Sequence, residues 1–299
     1  MAHVPVLLNE VLGILEPKSG KVIVDGTAGS GGHALPIIER LAPDGIFLGI
    51  DWDEAMVAKL IRQLAERVKA HEPKLKRLIL LTGNYADLPK ILREEHLDKI
   101  DGLLLDLGFS SEQLEGGRGF SFTKDEPLIM TYSVDRFPAY RALKQLSKME
   151  LTEIIRTYGE ERYAGPIAKA IWERERKQSI KTSGELQEVI RRAVPKSYER
   201  GRINPATRTF MALRIYLNDE LGNLEKFLES VPEIMAKGGK VAVISFHSLE
   251  DRLIKNHFRD LSKAGRAKLI TKKPIVPDEA EKKNNPRSRG AKLRVIEII

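Results

Sequence analysis

The sequence contains no cysteine. That excludes disulfides, cysteine-based zinc sites and a thiol nucleophile, and it fits a protein of the reducing cytoplasm. Histidine is sparse as well. There are six, and no two stand at the three- or four-residue spacing that would ligate a metal from one helix face, so no metal site is expected. No apolar run approaches the roughly 18 residues that a membrane span needs. The start, "MAHVPVLLNEVLGIL", lacks the basic region and small-residue cleavage site of a signal peptide. A cytoplasmic protein without a membrane partner is the expectation.

What is present sets wide bounds. With 299 residues and 42% apolar content, the chain can bury a core in one large domain or two ordinary ones. Its net charge is +8 and its pI about 9.4. A basic chain of this size points to an acidic partner, nucleic acid ahead of anionic membrane.

Short apolar runs alternate with amphipathic ones. "KVIVDG", "GIFLGID", "RLILLTGNY" and "IDGLLLDLG" read as four strands. "GGHALPIIERL", "DEAMVAKLIRQLAERVK" and "DLPKILREEHL" read as the helices between them. The strands are continuous apolar runs, which predicts a parallel sheet covered on both faces. From about Ser111 to Asn204 no buried strand is evident, and helical patterns take over. One of these opens with a capping box, Thr182 with Glu185. Between Arg136 and Arg214 basic residues outnumber acidic ones about two to one. Asn204 and Pro205 then mark an N-cap and first helical position. "GGKVAVISF" is a fifth strand, and "KLITKKP" and "KLRVIEII" are the last two. The chain is expected to leave a sheet, build a basic helical domain over residues 113–204, and return. Residues 1–112 and 205–299 would form the discontinuous sheet domain.

Ligands of open parallel sheets bind beyond the carboxyl ends of the strands. Asp25, Asp51, Asn84 with Tyr85, Asp106 and His247 all fall at such ends. They predict a polar, mostly acidic cleft floored by the loop "DGTAGSGGH". There Gly29, Gly31 and Gly32 let the backbone pass close under a ligand, and a helix N-terminus follows. The spacing Gly29-x-Gly31-x-x-Ala34 fits a dinucleotide fingerprint, and Asp51, about 20 residues on, can accept both ribose hydroxyl hydrogens. No Lys-Ser or Lys-Thr follows the glycines, which excludes a phosphate-binding NTPase loop. NAD and S-adenosylmethionine remain. Asp25 and Asp106 would repel a pyrophosphate but suit a sulfonium and an ammonium, which favours S-adenosylmethionine.

At this point "HVPVLLNEVL", "DGTAGSGGH", "LLLDLGFSSEQL", "RGFSF", "YGEERYAGPIAKAI", "NPATRTFMALRIYLNDEL", "ISFHSLEDRLIK" and "NPRSRGAKLR" together resemble the bacterial RsmH (MraW) methyltransferase family. The motifs run in this order from near the first residue to near the last. The resemblance implies a class I S-adenosylmethionine-dependent methyltransferase: an α/β, Rossmann-like, mostly parallel seven-stranded sheet with an inserted helical domain. It implies N4-methylation of a decoding-centre cytosine of 16S rRNA, nucleotide 1402 in the usual numbering. The partner would be 16S rRNA in the small ribosomal subunit or its precursor, with no obligate protein partner inferred. By the same resemblance Gly31, Gly32 and His33 lie against the methionine part of the cofactor and Asp51 holds its ribose. Tyr85 stands beside the adenine, and Asp106 and Gln113 complete the pocket. Taken alone, His33 reads as a first-turn helix residue and Tyr85 as core. One departure stands out. Where the family usually has Pro-Leu-Asp-Met-Arg-Met-Asp, this chain has "PLIMTYS", Pro127 to Ser133, losing two acids and an arginine.

For the transfer, Asp106 or the backbone carbonyls of its turn would accept from the cytosine amine, with Ser110 and Ser111 assisting. Phe109, Phe120 and Phe122 are candidates for base stacking. Thr207 and Arg208, in a helix first turn, are the leading candidates for a phosphate contact, and a salt bridge explains them equally well. Arg287, Arg289, Lys292 and Arg294 form a second basic patch. His247 and Asp251 have the spacing of a helix-start hydrogen bond. Three other readings stay open: an NAD-dependent oxidoreductase with His247 as proton donor, a non-catalytic rRNA-binding assembly factor, and a DNA methyltransferase.

Overall fold

The computed structural model describes residues 5–69, 75–109, 114, 116–133, 136–199 and 204–299. The chain divides into two compact units, Met1–Gly108 with Leu221–Ile299, and Phe109–Glu220.

The first unit is built on seven strands: β1 (Val22–Asp25), β2 (Ile46–Asp51), β3 (Arg77–Thr82), β4 (Ile100–Asp106), β5 (Met235–Ser245), β6 (Ala267–Leu269) and β7 (Lys292–Ile298). Their order is β3-β2-β1-β4-β5-β7-β6. β1 to β5 are parallel, and β7 runs antiparallel to β5 and β6. This is the class I methyltransferase arrangement expected from the sequence.

The continuous apolar runs follow from burial on both faces. Ile23, Phe47, Leu104, Ala242 and Ile244 pack on one face with the helices Leu8–Leu15, Ala34–Leu41 and Glu54–Lys69. Val24, Leu48, Leu103, Leu105, Val241 and Val243 pack on the other with Leu88–Glu94, Glu220–Ile234 and Ser248–Lys263. In the helix Ala34–Leu41 the buried set is Ala34, Ile37, Ile38 and Leu41, one face at helical spacing. Pro36 sits in its first turn, where no N–H is missed. Among the described residues, no helix is long and apolar enough to cross a membrane.

The second unit is helical: Ala139–Gln145, Lys148–Gly159, Ala164–Lys177, Ser183–Ala193, Lys196–Glu199 and Ala206–Asn218. It has its own core, including Leu151, Ile155, Ile167, Ile171, Leu186, Ile190, Phe210 and Leu213. Thr182 caps Ser183–Ala193 with Glu185, and Ser147 caps Lys148–Gly159 with Glu150 in the same way.

The return to the sheet domain, expected at residue 205, falls at Leu221 instead. The helix Ala206–Asn218 belongs to the second unit because Phe210 and Leu213 point into that core. It also packs on Lys148–Gly159 so closely that a Cβ on Gly159 would stand 2.8 Å from the Arg208 carbonyl oxygen. Asn204 does serve its N-terminus, its Oδ1 accepting from the Ala206 N–H at 2.9 Å.

The divergent segment Pro127–Ser133 lies inside this unit. Asn218 accepts from the Tyr132 N–H through Oδ1 and donates to the Met130 carbonyl through Nδ2. The Tyr132 hydroxyl donates to Glu220 at 2.9 Å. At the three positions where the resemblance implies charge, this chain has Ile129, a buried Thr131 and Ser133, and the neighbouring Tyr132 is braced by Glu220.

Candidate active site

The glycine loop is stitched to both neighbouring strands. The Gly26 N–H donates to the Leu104 carbonyl and the Ala28 N–H to that of Ile50, at 2.9 and 2.8 Å. A Cβ on Gly26 would lie 2.5 Å from Leu105 Cδ2 and 3.1 Å from Tyr85 Cβ. Gly31 has φ +99°, and its Cβ would lie 2.8 Å from Leu60 Cδ1. At these two positions the absent side chain serves packing and backbone geometry, and of the two the sequence had pointed to ligand approach at Gly31. Gly29, at φ +52°, is different. A Cβ there would meet nothing nearer than 3.8 Å, so the loop is open at that point.

Because β1, β2 and β4 are parallel neighbours, their acidic ends meet this loop. Asp51 Oδ2 accepts from the Gly29 N–H and Oδ1 from the Asp53 N–H, both at 2.8 Å. These two bonds orient the carboxylate. Asp106 is fixed similarly. Its N–H donates to Thr27 Oγ1 at 2.7 Å, and its Oδ1 accepts from the Gly108 N–H at 3.2 Å. Its Oδ2 lies 3.6 Å from His33 Nδ1. His33 is 5% exposed and its Nε2 is 2.9 Å from the Val6 carbonyl, so Nε2 carries a proton and donates. The His33 side chain is thus held between the N-terminal segment and Asp106, which leaves its backbone as the part of it nearest the loop.

Asp25 corrects an expectation. It is 1% exposed and lies beneath the loop, not on the cleft rim, because its Oδ1 accepts from the Thr27 N–H and hydroxyl. Burial, reinforced by the charges of Asp106 and Asp51 and opposed by the Thr27 hydrogen bonds, pushes its pKa up from 3.8 to about 7. The acidic rim consists of Asp51 and Asp106.

After β3, Asn84 caps a single 3₁₀ turn through the Ala86 N–H and donates to Asn223 Oδ1 at 2.6 Å. Its role is structural. Tyr85 is half-buried, edge-on to Phe227 with ring centroids 5.6 Å apart, and close to Gly26. After β5, His247 caps Ser248–Lys263 in a box with Glu250, whose Oε2 accepts from the Phe246 N–H at 2.8 Å. The side-chain partner at the helix start is Glu250, and the expected bond to Asp251 forms through the backbone, its N–H donating to the His247 carbonyl at 3.1 Å. The Asp251 carboxylate instead receives Lys292 and Arg294 of β7, at 3.0 and 2.6 Å, and these cations hold its pKa down against its burial. Asp251 thus pairs with both Lys292 and Arg294, and one carboxylate against two cations leaves a net single positive charge there. Arg287 and Arg289 stay exposed on the 3₁₀ turn Pro286–Gly290.

In the second unit, Arg208 donates to the Glu160 carbonyl at 2.9 Å, a backbone contact in place of the expected salt bridge, and Thr207 is exposed. Phe109, Phe120 and Tyr132 pack as a triangle with centroids 5.1 to 5.7 Å apart, and Phe122 packs edge-on against Phe210. Phe120 is buried in this packing, and Phe109 and Phe122 are half-buried. Ser110, Ser111 and Gln113 lie outside the described residues.

Sequence reasoning missed Thr27, whose hydroxyl ties the ends of β1 and β4 together, and Asp53, which is 4% exposed and also accepts from the Ala55 N–H. The Asp-x-Asp pattern at 51–53 and the His-x-x-Glu pattern at 247–250 were signals for two of the missed roles. The assembled site offers two oriented carboxylates flanking an open, positive-φ loop that leads into a helix N-terminus. That donor set fits a ligand with hydroxyls and a cationic centre.

Known proteins are similar to this chain along nearly its whole length. A ribosomal RNA small subunit methyltransferase H from Syntrophus aciditrophicus is 44% identical, over 99% of this chain and 98% of its own. The proteins of that name from Geotalea daltonii and Clostridioides difficile are 43% and 41% identical, each over 99% of this chain and 98% and 99% of theirs. Residues 1–299 match the MraW methylase family over their whole length, and the chain belongs to that family.

Proposed function

We propose that this protein transfers a methyl group from S-adenosylmethionine to the exocyclic N4 of a decoding-centre cytosine, nucleotide 1402 in the usual numbering, of 16S rRNA in the cytoplasm. The observation that carries the reading is the pair of oriented carboxylates, Asp51 and Asp106, on either side of the loop after β1. When bound, S-adenosylmethionine supplies an electrophilic methyl group. Asp51 would accept the ribose hydroxyls. The backbone of Gly31, Gly32 and His33 would face the methionine part, and Tyr85 the adenine.

The exocyclic amine of cytosine is a weak nucleophile, because its lone pair is delocalised into the ring. The protein must fix it in line with the donor and accept from its N–H groups as positive charge grows on nitrogen. Asp106, at the end of β4, would accept there, together with the carbonyls of the turn that follows. Ser110, Ser111 and Gln113 retain the supporting roles that the family resemblance and the turn's position assign to them. A strong general base is not required, since the methylated ammonium is acidic enough to lose its proton to water. The amine is out of reach in a stacked base, so the cytosine must be splayed out. Thr207, Arg208, Arg287 and Arg289 would contact phosphates.

Mass mapping of methylated nucleotides in small-subunit rRNA, with and without the protein, tests the reading. An N4-methyl mark on that cytosine only when the protein is present is the expected result. A mark on another nucleotide corrects the target, and no mark despite RNA binding favours an assembly factor. Binding of NADH in place of S-adenosylmethionine would return the reading to an oxidoreductase.

A further inference from the structure

The sequence motif "YGEERYAGPIAKAI" takes no part in the cofactor site, yet its residues do defined work. Gly159 ends one helix in close contact with the backbone of another, and Glu160 turns the chain at φ +47°. Glu161 is 2% exposed and binds two groups at once. Its Oε1 accepts from the Tyr163 N–H at 2.8 Å and its Oε2 from the Tyr198 hydroxyl at 2.7 Å. One buried carboxylate thereby pins two tyrosines, whose ring centroids stand 4.9 Å apart. Arg162, itself exposed, lies over both rings, its guanidinium carbon 4.9 Å from the Tyr163 centroid and 4.6 Å from that of Tyr198.

Two arginines beside one pinned aromatic pair single this cluster out. Arg191 and Arg192 of the same unit share Glu188, and Arg214 is paired with Glu220, while Arg141 and Arg176 each lie over one ring. Arg162 has no carboxylate partner among the described residues. Arg208, whose charge also reaches Tyr198, donates among them only to a backbone carbonyl. Two cations without an ion-pair partner among the described residues therefore stand beside the aromatic pair, against the single buried carboxylate of Glu161, with the exposed Thr207 next in sequence to Arg208. A planar guanidinium placed over tyrosine rings is suited to a base face, and two guanidiniums are suited to phosphate oxygens. An acidic peptide would use the charge but not the stack.

We infer that Arg162 on its Tyr163–Tyr198 platform, together with Arg208, grips a single-stranded segment of RNA on the second unit. The inference rests on the reading of rRNA as substrate. A splayed target base leaves unpaired neighbours, and this is the chemistry that would hold them.

The test measures binding of the full chain to a short fluorescein-labelled single-stranded RNA by anisotropy over a range of salt, with calorimetric binding of S-adenosylmethionine in parallel. Arg162→Ala and Arg208→Ala should each weaken RNA binding about tenfold and flatten the log–log salt slope by about 0.7 to 1. S-adenosylmethionine affinity should stay unchanged. Arg162→Lys should keep the slope and still lose several-fold in affinity, because an ammonium does not stack as a guanidinium does. Alanine variants that match the parent protein in affinity and slope overturn the grip and leave the methyltransferase reading standing. A parent protein that binds S-adenosylmethionine but no RNA overturns both. Displacement of the RNA by poly-glutamate at equal charge overturns the grip in favour of an acidic protein partner.

Discussion

Asp25 and Asp51 end adjacent parallel strands, yet their environments give them opposite tasks. Asp51 is held by two backbone N–H groups and faces the loop opening. Asp51→Ala should weaken S-adenosylmethionine binding about 10- to 100-fold, the range for losing hydrogen bonds to a charged group, and calorimetry would read it. An unchanged affinity would remove Asp51 from the ribose site. Asp106→Asn should lower the methylation rate while leaving the fold intact, and a variant that kept the full rate would remove the acid's role.

Asp25 is buried, with its pKa raised from 3.8 to about 7. Between those values the folded state binds more protons than the unfolded chain. The stability this contributes is complete below about pH 4 and is lost as pH rises through 7. From pH 5 to pH 8 the loss is about 2 to 3 kcal/mol, at about 1.4 kcal/mol per unit. An asparagine at this position would keep the acceptor for Thr27 without the titration. Asp25→Asn should therefore flatten the stability–pH profile in urea unfolding of the cofactor-free protein. Parallel profiles for the two proteins would contradict the burial argument.

At the scale of elements, the helix boundaries are set by short polar signals. Thr182 and Glu185 satisfy orphan N–H groups reciprocally at the start of Ser183–Ala193. Thr182→Ala should cost about 1 kcal/mol of stability, measured by denaturant midpoint. Gly159 has a different reason. A methyl group there would press on the Arg208 carbonyl, a backbone atom that cannot rotate away. Gly159→Ala should destabilise by about 1 to 3 kcal/mol, as overpacking does, and shift Arg208 with it. A neutral Gly159→Ala would show that the two helices separate easily.

On the scale of the whole molecule, the two cores share no buried residues. Leu186 is fully buried in the second of the two units. Leu186→Ala should cost about 2 to 5 kcal/mol. Hydrogen exchange should show the loss in residues 109–220, with the amides of β1, β2 and β4 still protected. Uniform loss of protection would mean that the units unfold as one. The net charge of +8 is a property of the entire chain and predicts that association with RNA weakens steeply as salt rises.

The order of strands and helices was readable from the residues because it rests on local periodicity and on the need of buried strands for apolar side chains on both faces. "GIFLGID" has few alternatives to an interior strand, and Thr182 with Glu185 has few alternatives to a helix start. The meeting of strand ends was readable too, since parallel strands put their last residues on one edge. What each of those residues does there was not. Asp25, Asp51 and Asp106 look alike as strand-ending acids, and only the packing decides that one is sealed under a loop while two face it. Lys292 and Arg294 read as a basic patch until Asp251 is found against them. Arg162 reads as one arginine among many until Glu161 is seen to pin two tyrosines beneath it. Local pattern fixes which elements form, because backbone hydrogen bonding and burial act over a few residues. Charge, protonation and exposure depend on neighbours distant in sequence, and the tertiary structure alone brings those neighbours together.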